Sequence, residues 1–357
     1  MKYLILIFII LWLVLYTVRE KTNLKVYYGI FGILRTKLGF GIIEKLGKYK
    51  FWRKIGILSI PICSILGIFM LINLTIMSVN LALGHVSKEE AKPVIFLFGT
   101  LIPWIPGLIG LIVAITIHEL AHGIFAKSFN IKIKSSGVIF LLGIPLGAFV
   151  ELDDKFKEVD KKIRGAIASA GPLANLFIYL LASLLIVLAN FAPTNLEILD
   201  VKEPASKYLK KGDIILKIND MKINNLEDFK SVAKQIEPNK IYKITVLRDN
   251  KVLEFNIKSS DLGRLGILVA PTNKGLVEAI NILYWTSFFN FILALFNLIP
   301  AKPLDGYYVL TALPELVKER SYRLGEFLER VLDDKVINSI TLLVWWIIIG
   351  SIIYSML

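Results

Sequence analysis

Ile117-His118-Glu119-Leu120-Ala121-His122-Gly123 is the stretch from which the rest of the chain can be read. It lies inside an apolar run, residues 108–125, and holds two of the three histidines in the protein. A helix turns about 100° per residue, so His118 and His122 share a face one turn apart, where two imidazoles can grip one metal ion. Glu119 falls about 60° from His122 on the same side, within reach of a metal-bound water. Neutral imidazole suits zinc, and zinc draws the pKa of bound water toward neutrality. A carboxylate beside that water can act as general base and pass the proton to a departing amine. The spacing can arise by chance, and a lone histidine in an apolar helix is ordinarily hydrogen-bonded core. Ionisable side chains are costly in a membrane segment, however, and three in five residues call for a reason.

Composition sets the frame around this motif. The 357 residues are 55% hydrophobic with a mean hydropathy of +0.64, the balance of an integral membrane protein. The net charge of +13 sits in loops between apolar runs. That placement suits an anionic cytoplasmic leaflet, with membrane lipids as partners and no nucleic acid. The single cysteine, Cys63, permits neither an internal disulfide nor a cysteine zinc cluster.

About six transmembrane helices are expected. Residues 4–16 read as a short span or signal anchor, since no small-residue cleavage site follows. Further spans are expected over 55–83, about 105–127 with the metal motif near its far end, 165–190, 279–299 and 336–354. Residues 94–101, set off by Pro103 and Pro106, read either as a half-span or as a hairpin arm. Loops 18–54, 127–164 and 301–335 are rich in Lys and Arg, whereas 85–92 and the N-terminus are poor. Six spans place the rich loops together, and the positive-inside rule makes their side cytoplasmic. Residues 311–335 are charged and expected to be helical at that surface.

Two segments do not fit a bundle of spans. Residues 137–150 are too short to cross, and Gly143, Pro145 and Gly147 make them a poor helix. They read as two short strands around a turn, a membrane-dipping β-hairpin supported by protein or a wet cavity. An ordinary packed loop is the alternative. From 194 to about 269 the chain becomes charged and alternating. Residues 198–201, 213–218 and 243–248 read as strands and 226–235 as an amphipathic helix, a small inserted α+β domain outside the membrane.

Catalytic zinc takes three protein ligands and keeps one position open. His85 falls at the opposite surface, so a carboxylate should complete the set. Asp305 is the choice, because it follows a proline-broken span at the depth of the motif and Gly306 lets backbone approach. Glu151, Asp153 and Asp154 compete, although a solvated charge cluster is their simpler reading.

Taken together, His118-Glu119-Leu120-Ala121-His122-Gly123, Ala170-Gly171-Pro172-Leu173-Ala174-Asn175, and Asn297-Leu298-Ile299-Pro300 with Leu304-Asp305-Gly306 resemble the site-2 protease family of intramembrane zinc metalloproteases. Val201-Lys-Glu-Pro-Ala-Ser206, Leu209-Lys-Lys-Gly-Asp-Ile-Ile215 and Ile218-Asn219 resemble a PDZ domain of the kind inserted in many members. The resemblance covers about residue 94 to the end and leaves 1–84 outside. It implies Zn2+ held by His118, His122 and Asp305 with Glu119 as base. It implies that Asn175 and Asn297 lie near the active site, holding substrate backbone or polarising the scissile carbonyl; helix–helix hydrogen bonding is the alternative. Some members carry a second Asn five residues before the Asn297 position, where this chain has Ile292, with Asn290 two residues off. Residues 137–150 resemble the family's membrane-dipping hairpin, with Gly143 and Gly147 as candidate substrate-binding positions on an edge that could accept unwound substrate by strand addition.

The implied organisation is 1–92 N-terminal transmembrane helices and basic cytoplasmic loop, 93–193 and 273–357 the two halves of a catalytic membrane core, and 194–272 the PDZ-like domain. The implied activity is hydrolysis of a peptide bond within or near the transmembrane segment of single-span proteins, after an upstream site-1-type protease. The active site would lie near the cytoplasmic side of the cell membrane. The PDZ-like domain would be extracytoplasmic and gate access, with Leu265-Gly266-Ile267 as its candidate carboxylate loop. A metal-binding transporter would share the ligands but needs more polar residues in its spans. An inactive scaffold working through the PDZ-like domain would have no use for Glu119.

Overall fold

The computed structural model describes residues 2–85 and 102–356, so the segment 94–101 lies outside the described residues. The chain separates into two compact units, Met1–Leu180 with Trp285–Leu357, and Leu181–Tyr284.

Among the described residues, five helical stretches are long and apolar enough to cross a membrane: Phe51–Ala82, Trp104–Ser128, Lys161–Asn190, Lys274–Asn297 and Asp334–Tyr354. The protein is a polytopic helical membrane protein. Helix α1 (Lys2–Thr17), expected as a span, has 16 residues. At 1.5 Å per residue it reaches about 24 Å, short of the roughly 30 Å hydrocarbon core. Short α2 (Phe40–Gly47) precedes α3 (Phe51–Ala82) and packs on α4 (Trp104–Ser128), where Ile43 joins Ala121, Ile124 and Phe125 in a buried cluster. The stretch expected as one span over 165–190 is broken at Ser169 into α5 (Lys161–Ala168) and α6 (Ala170–Asn190). Ser169 Oγ lies 2.6 Å from Ser59 Oγ of α3, a polar contact that pins the break.

The basic region 18–54 is more than a loop. It forms β1 (Leu24–Tyr27) and β2 (Phe31–Thr36), which continue the expected hairpin of β3 (Ile133–Leu141) and β4 (Ile144–Leu152) into a four-stranded antiparallel sheet ordered β1-β2-β3-β4. Leu34 pairs with Val138, and Gly137 with Phe149. A two-stranded hairpin alone would leave the outer backbone of β3 unpaired; β2 satisfies it. At the β3–β4 turn Leu142 and Gly143 have φ of 49° and 82°, the pair of positive values that a tight two-residue turn demands. Trp12 of α1 donates its indole N–H to Gly29 O at 3.1 Å, tying α1 to the β1–β2 turn.

The second unit contains a sheet ordered β10-β5-β6-β8-β9, with β7 paired to β6. Its elements are β5 (Leu196–Val201), β6 (Ile214–Ile218), β7 (Met221–Lys222), α7 (Leu226–Ala233), β8 (Ile241–Arg248), β9 (Lys251–Lys258) and β10 (Ile267–Pro271). Leu196, Ile198, Ile215, Ile244, Val246 and Ile257 are fully buried between sheet and helix. Asn225 caps α7 by accepting the Asp228 N–H at 2.8 Å. Strands β9 and β10 extend the unit beyond the three strands expected. Asp249 and Asn250, with φ of 50° and 58°, make the tight turn into β9.

Candidate metal centre

Helix α4 presents His118 and His122 on one face, their rings 4.7 Å apart and nearly perpendicular. The third member comes from far along the chain. Helix α8 (Lys274–Asn297) ends in a turn rich in proline, and α9 (Asp305–Lys318) opens on Asp305. A carboxylate suits the first turn of a helix, where free N–H groups point. Gly306 is required there because a Cβ would run into the Leu298 and Ile299 carbonyls. Asp305 Oδ2 lies 3.0 Å from His118 Nε2 and 3.3 Å from His122 Nε2. The three residues are the one set of potential metal ligands found among the described residues.

The protons around these atoms can be assigned from their outer partners. His122 Nδ1 lies 2.8 Å from the Ile167 carbonyl, which can only accept, so Nδ1 carries the hydrogen. His118 Nδ1 lies 2.7 Å from Asn175 Oδ1. The Asn175 amide orientation is fixed by its Nδ2, which donates to Ala114 O at 3.0 Å and Asn290 Oδ1 at 2.9 Å. Asn290 is held in turn by donating to Thr286 O at 2.7 Å. In the neutral form of each ring Nε2 is then the bare nitrogen, turned toward Asp305 Oδ2, a buried oxygen with no hydrogen-bond partner among the described residues. With both rings neutral, three acceptors meet there and repel one another unless a cation, a proton or a metal ion, lies among them. Ligands bonded tetrahedrally at about 2.0–2.1 Å stand roughly 3.3 Å apart, close to the spacings found. Outer partners that fix a ring's tautomer are the usual support of a histidine metal ligand. The residues present thus fit a zinc ion.

Glu119 lies beside the set, and its Oε2 accepts the backbone N–H of Val150 on β4 at 2.8 Å. The competing carboxylates are engaged elsewhere. Glu151 accepts from Ser135 Oγ at 2.5 Å and from Arg35 Nε at 3.5 Å. Asp153 caps the turn at Lys155, and Asp154 pairs with Lys134 at 2.6 Å. His85 is exposed at the end of α3.

The structure separates the expected substrate-binding residues. Asn175 is fully buried behind His118 with its amide committed to protein partners, so it orients a ligand rather than facing a cleft. Asn297 is half-buried at the end of α8, its Nδ2 donating to Leu293 O at 3.1 Å. Gly143 occupies the hairpin turn because of its positive φ. Seven residues of strand, about 23 Å, part it from Val150. Gly147 stands on β4 at the register shift, opposite Ile139, and a Cβ there would meet nothing within 4 Å.

Two further residues, to which the sequence alone assigns no role, complete the centre. Gly171, in the first turn of α6, leaves room for the imidazoles: a Cβ there would lie 2.5 Å from His122 Nε2 and 2.7 Å from His118 Nε2. Asn290 anchors Asn175. Its signal in the sequence was a polar residue in an apolar span, whereas Gly171 has no side chain to read.

Residues 106–331 match the model of peptidase family M50. The chain belongs to that family. The M50 match takes in His118, His122 and Asp305 together. A protein of Methanocaldococcus jannaschii is 62% identical over 359 residues, covering 99% of this chain and 98% of that protein. A Rickettsia conorii protein with a provisional zinc-metalloprotease name is 31% identical over 193 residues, 42% of this chain and 52% of that one. The regulator of sigma-W protease RasP of Bacillus subtilis is 32% identical over 136 residues, 35% of this chain and 31% of RasP.

Proposed function

We propose that this M50 member is an intramembrane zinc metalloprotease that cuts single-span membrane proteins within or near their transmembrane segments. The observation that carries the reading is the convergence of His118 Nε2, His122 Nε2 and Asp305 Oδ2 beside a glutamate held by backbone. The names of the Rickettsia and Bacillus relatives point the same way. Zinc bound there would supply Lewis acidity toward water and toward the scissile carbonyl.

The chain's own groups do the rest. Glu119 Oε1, the oxygen not held by Val150, takes a proton from the attacking water and delivers it to the leaving nitrogen as the C–N bond breaks. Asn175, itself held by Asn290, keeps His118 in one tautomer and orientation. Asn297 stands eight positions before Asp305 in sequence and supplies an amide for the substrate carbonyl. A substrate helix must unwind before hydrolysis, and its freed backbone needs partners in a dry medium. The edge of β4 offers them by strand addition.

The three basic loops make the metal end of the spans cytoplasmic by the positive-inside rule, whether or not α1 crosses. The Leu181–Tyr284 unit, read as PDZ-like, is then extracytoplasmic and acts as a filter on bulky ectodomains. A cavity of about 370 Å³ lined by Phe229, Ala233, Leu265, Gly266 and Ile267 gives it room for a peptide end. An upstream protease would supply trimmed substrates. The test is metal analysis with a cleavage assay on a single-span substrate, comparing the wild type with Glu119→Gln. Loss of cleavage with retained zinc is expected. Retained cleavage would sink the assignment, whereas a transporter or scaffold would be unaffected by the change.

A further inference from the structure

Strand β4 is an edge: β3 pairs one side, and among the described residues no strand pairs the other. In an antiparallel strand the N–H and C=O of one residue point to the same side, and successive residues alternate. Val150 sends its N–H out of the sheet to Glu119. Asp153, three residues on, sends its N–H inward to Lys132 O at 2.9 Å, as alternation requires. By the same alternation Ala148 faces outward, while Gly147 and Phe149 face β3. The register shift at Ile139/Phe140 leaves Leu146 without a partner and ends the regular edge. Ala148 and Val150 are thus successive outward positions in regular register, about 6.7 Å apart, with Leu152 beyond them at the end of the strand.

Given the proteolytic reading above, we propose that these two positions have different tenants. The Val150 amide positions the Glu119 carboxylate, and the Ala148 amide and carbonyl anchor the unwound substrate strand. An added strand that ran past Val150 would compete with Glu119 for the same N–H. The substrate is therefore held up to Ala148 and released from the edge at Val150, where its next peptide bond meets the base. β4 acts as a ruler that selects the scissile bond by its distance from the Ala148 anchor. Substrates with proline opposite Ala148 are excluded, because proline has no N–H to pair.

Proline on β4 tests the division, since at an outward position it deletes an N–H that the β3 ladder does not use. Val150→Pro should lower kcat about 100-fold with KM within about twofold, the signature of a displaced base. Ala148→Pro should raise KM about fivefold or more with kcat kept at saturation, the loss of one backbone hydrogen bond. Both proline variants should bind zinc stoichiometrically. Equal kinetic effects of the two prolines, or zinc loss in both, would overturn the proposal. A second measurement does not need turnover. In Glu119→Gln carrying Ala148→Cys, with buried Cys63 silent, cysteines scanned through a single-span substrate should crosslink at one position and its neighbours two residues away. Uniform crosslinking refutes the ruler. Wild type that binds zinc and crosslinks in this pattern yet cuts nothing would refute the proteolytic reading alone.

Discussion

Gly171→Ala should cripple zinc binding although it adds one methyl group. Nonbonded heavy atoms settle at roughly 3.5 Å. The new Cβ would lie 2.5 Å from His122 Nε2, 2.6 Å from His118 Cε1 and 2.7 Å from His118 Nε2. Relief needs about 0.8–1 Å of movement, shared by the rings and the first turn of α6. Metal bonds tolerate only about 0.2 Å. The rings have little freedom, because Asn175 and the Ile167 carbonyl hold their far sides. Overpacking of this kind costs about 1–3 kcal/mol, so zinc affinity should fall at least about tenfold, within the range seen when ligand support is lost. Competition of the purified protein with a zinc-chelating dye reads this directly, and metal analysis after dialysis gives the stoichiometry. Unchanged affinity in a folded Gly171→Ala protein would refute the geometry assigned to the centre.

Asn175→Leu should weaken zinc about 10–100-fold by freeing the His118 ring, measured by the same competition. Stripping the metal with a chelator should abolish cleavage and lower the thermal midpoint, and added zinc should restore both. In the second unit Asp213 is buried; burial raises its pKa, but the Arg248 guanidinium and the Lys210 N–H outweigh that and hold it below the usual carboxylate range. The depressed pKa contributes stability that is complete above the ordinary aspartate range near pH 4 and is lost as pH falls through the folded value. Arg248→Ala should cost about 3 kcal/mol by leaving that carboxylate unpaired, seen as faster hydrogen exchange over 196–271 in the full chain.

Helices and ligands were legible because they are written locally. Hydropathy marked the crossing helices, and a 100° step put His118 and His122 together. The hairpin was legible from Gly143 and Gly147. The β1–β2 strands were not, because Lys and Arg in 18–54 masked two short runs whose reason for being strands is the outer edge of β3. Asn175 was legible as an active-site residue, but which side of His118 it served was not.

The sequence by itself determined a membrane-embedded pair of imidazoles with a carboxylate base beside them, and pointed to Asp305 as their partner. Only the tertiary structure decided which nitrogen of each ring faces the centre, since that depends on a carbonyl and an amide 45 and 57 residues away. It also decided that backbone groups, at Gly171 and Val150, shape the site. Backbone atoms are the same at every position, so their placement is set by packing alone and leaves no mark in the residue letters.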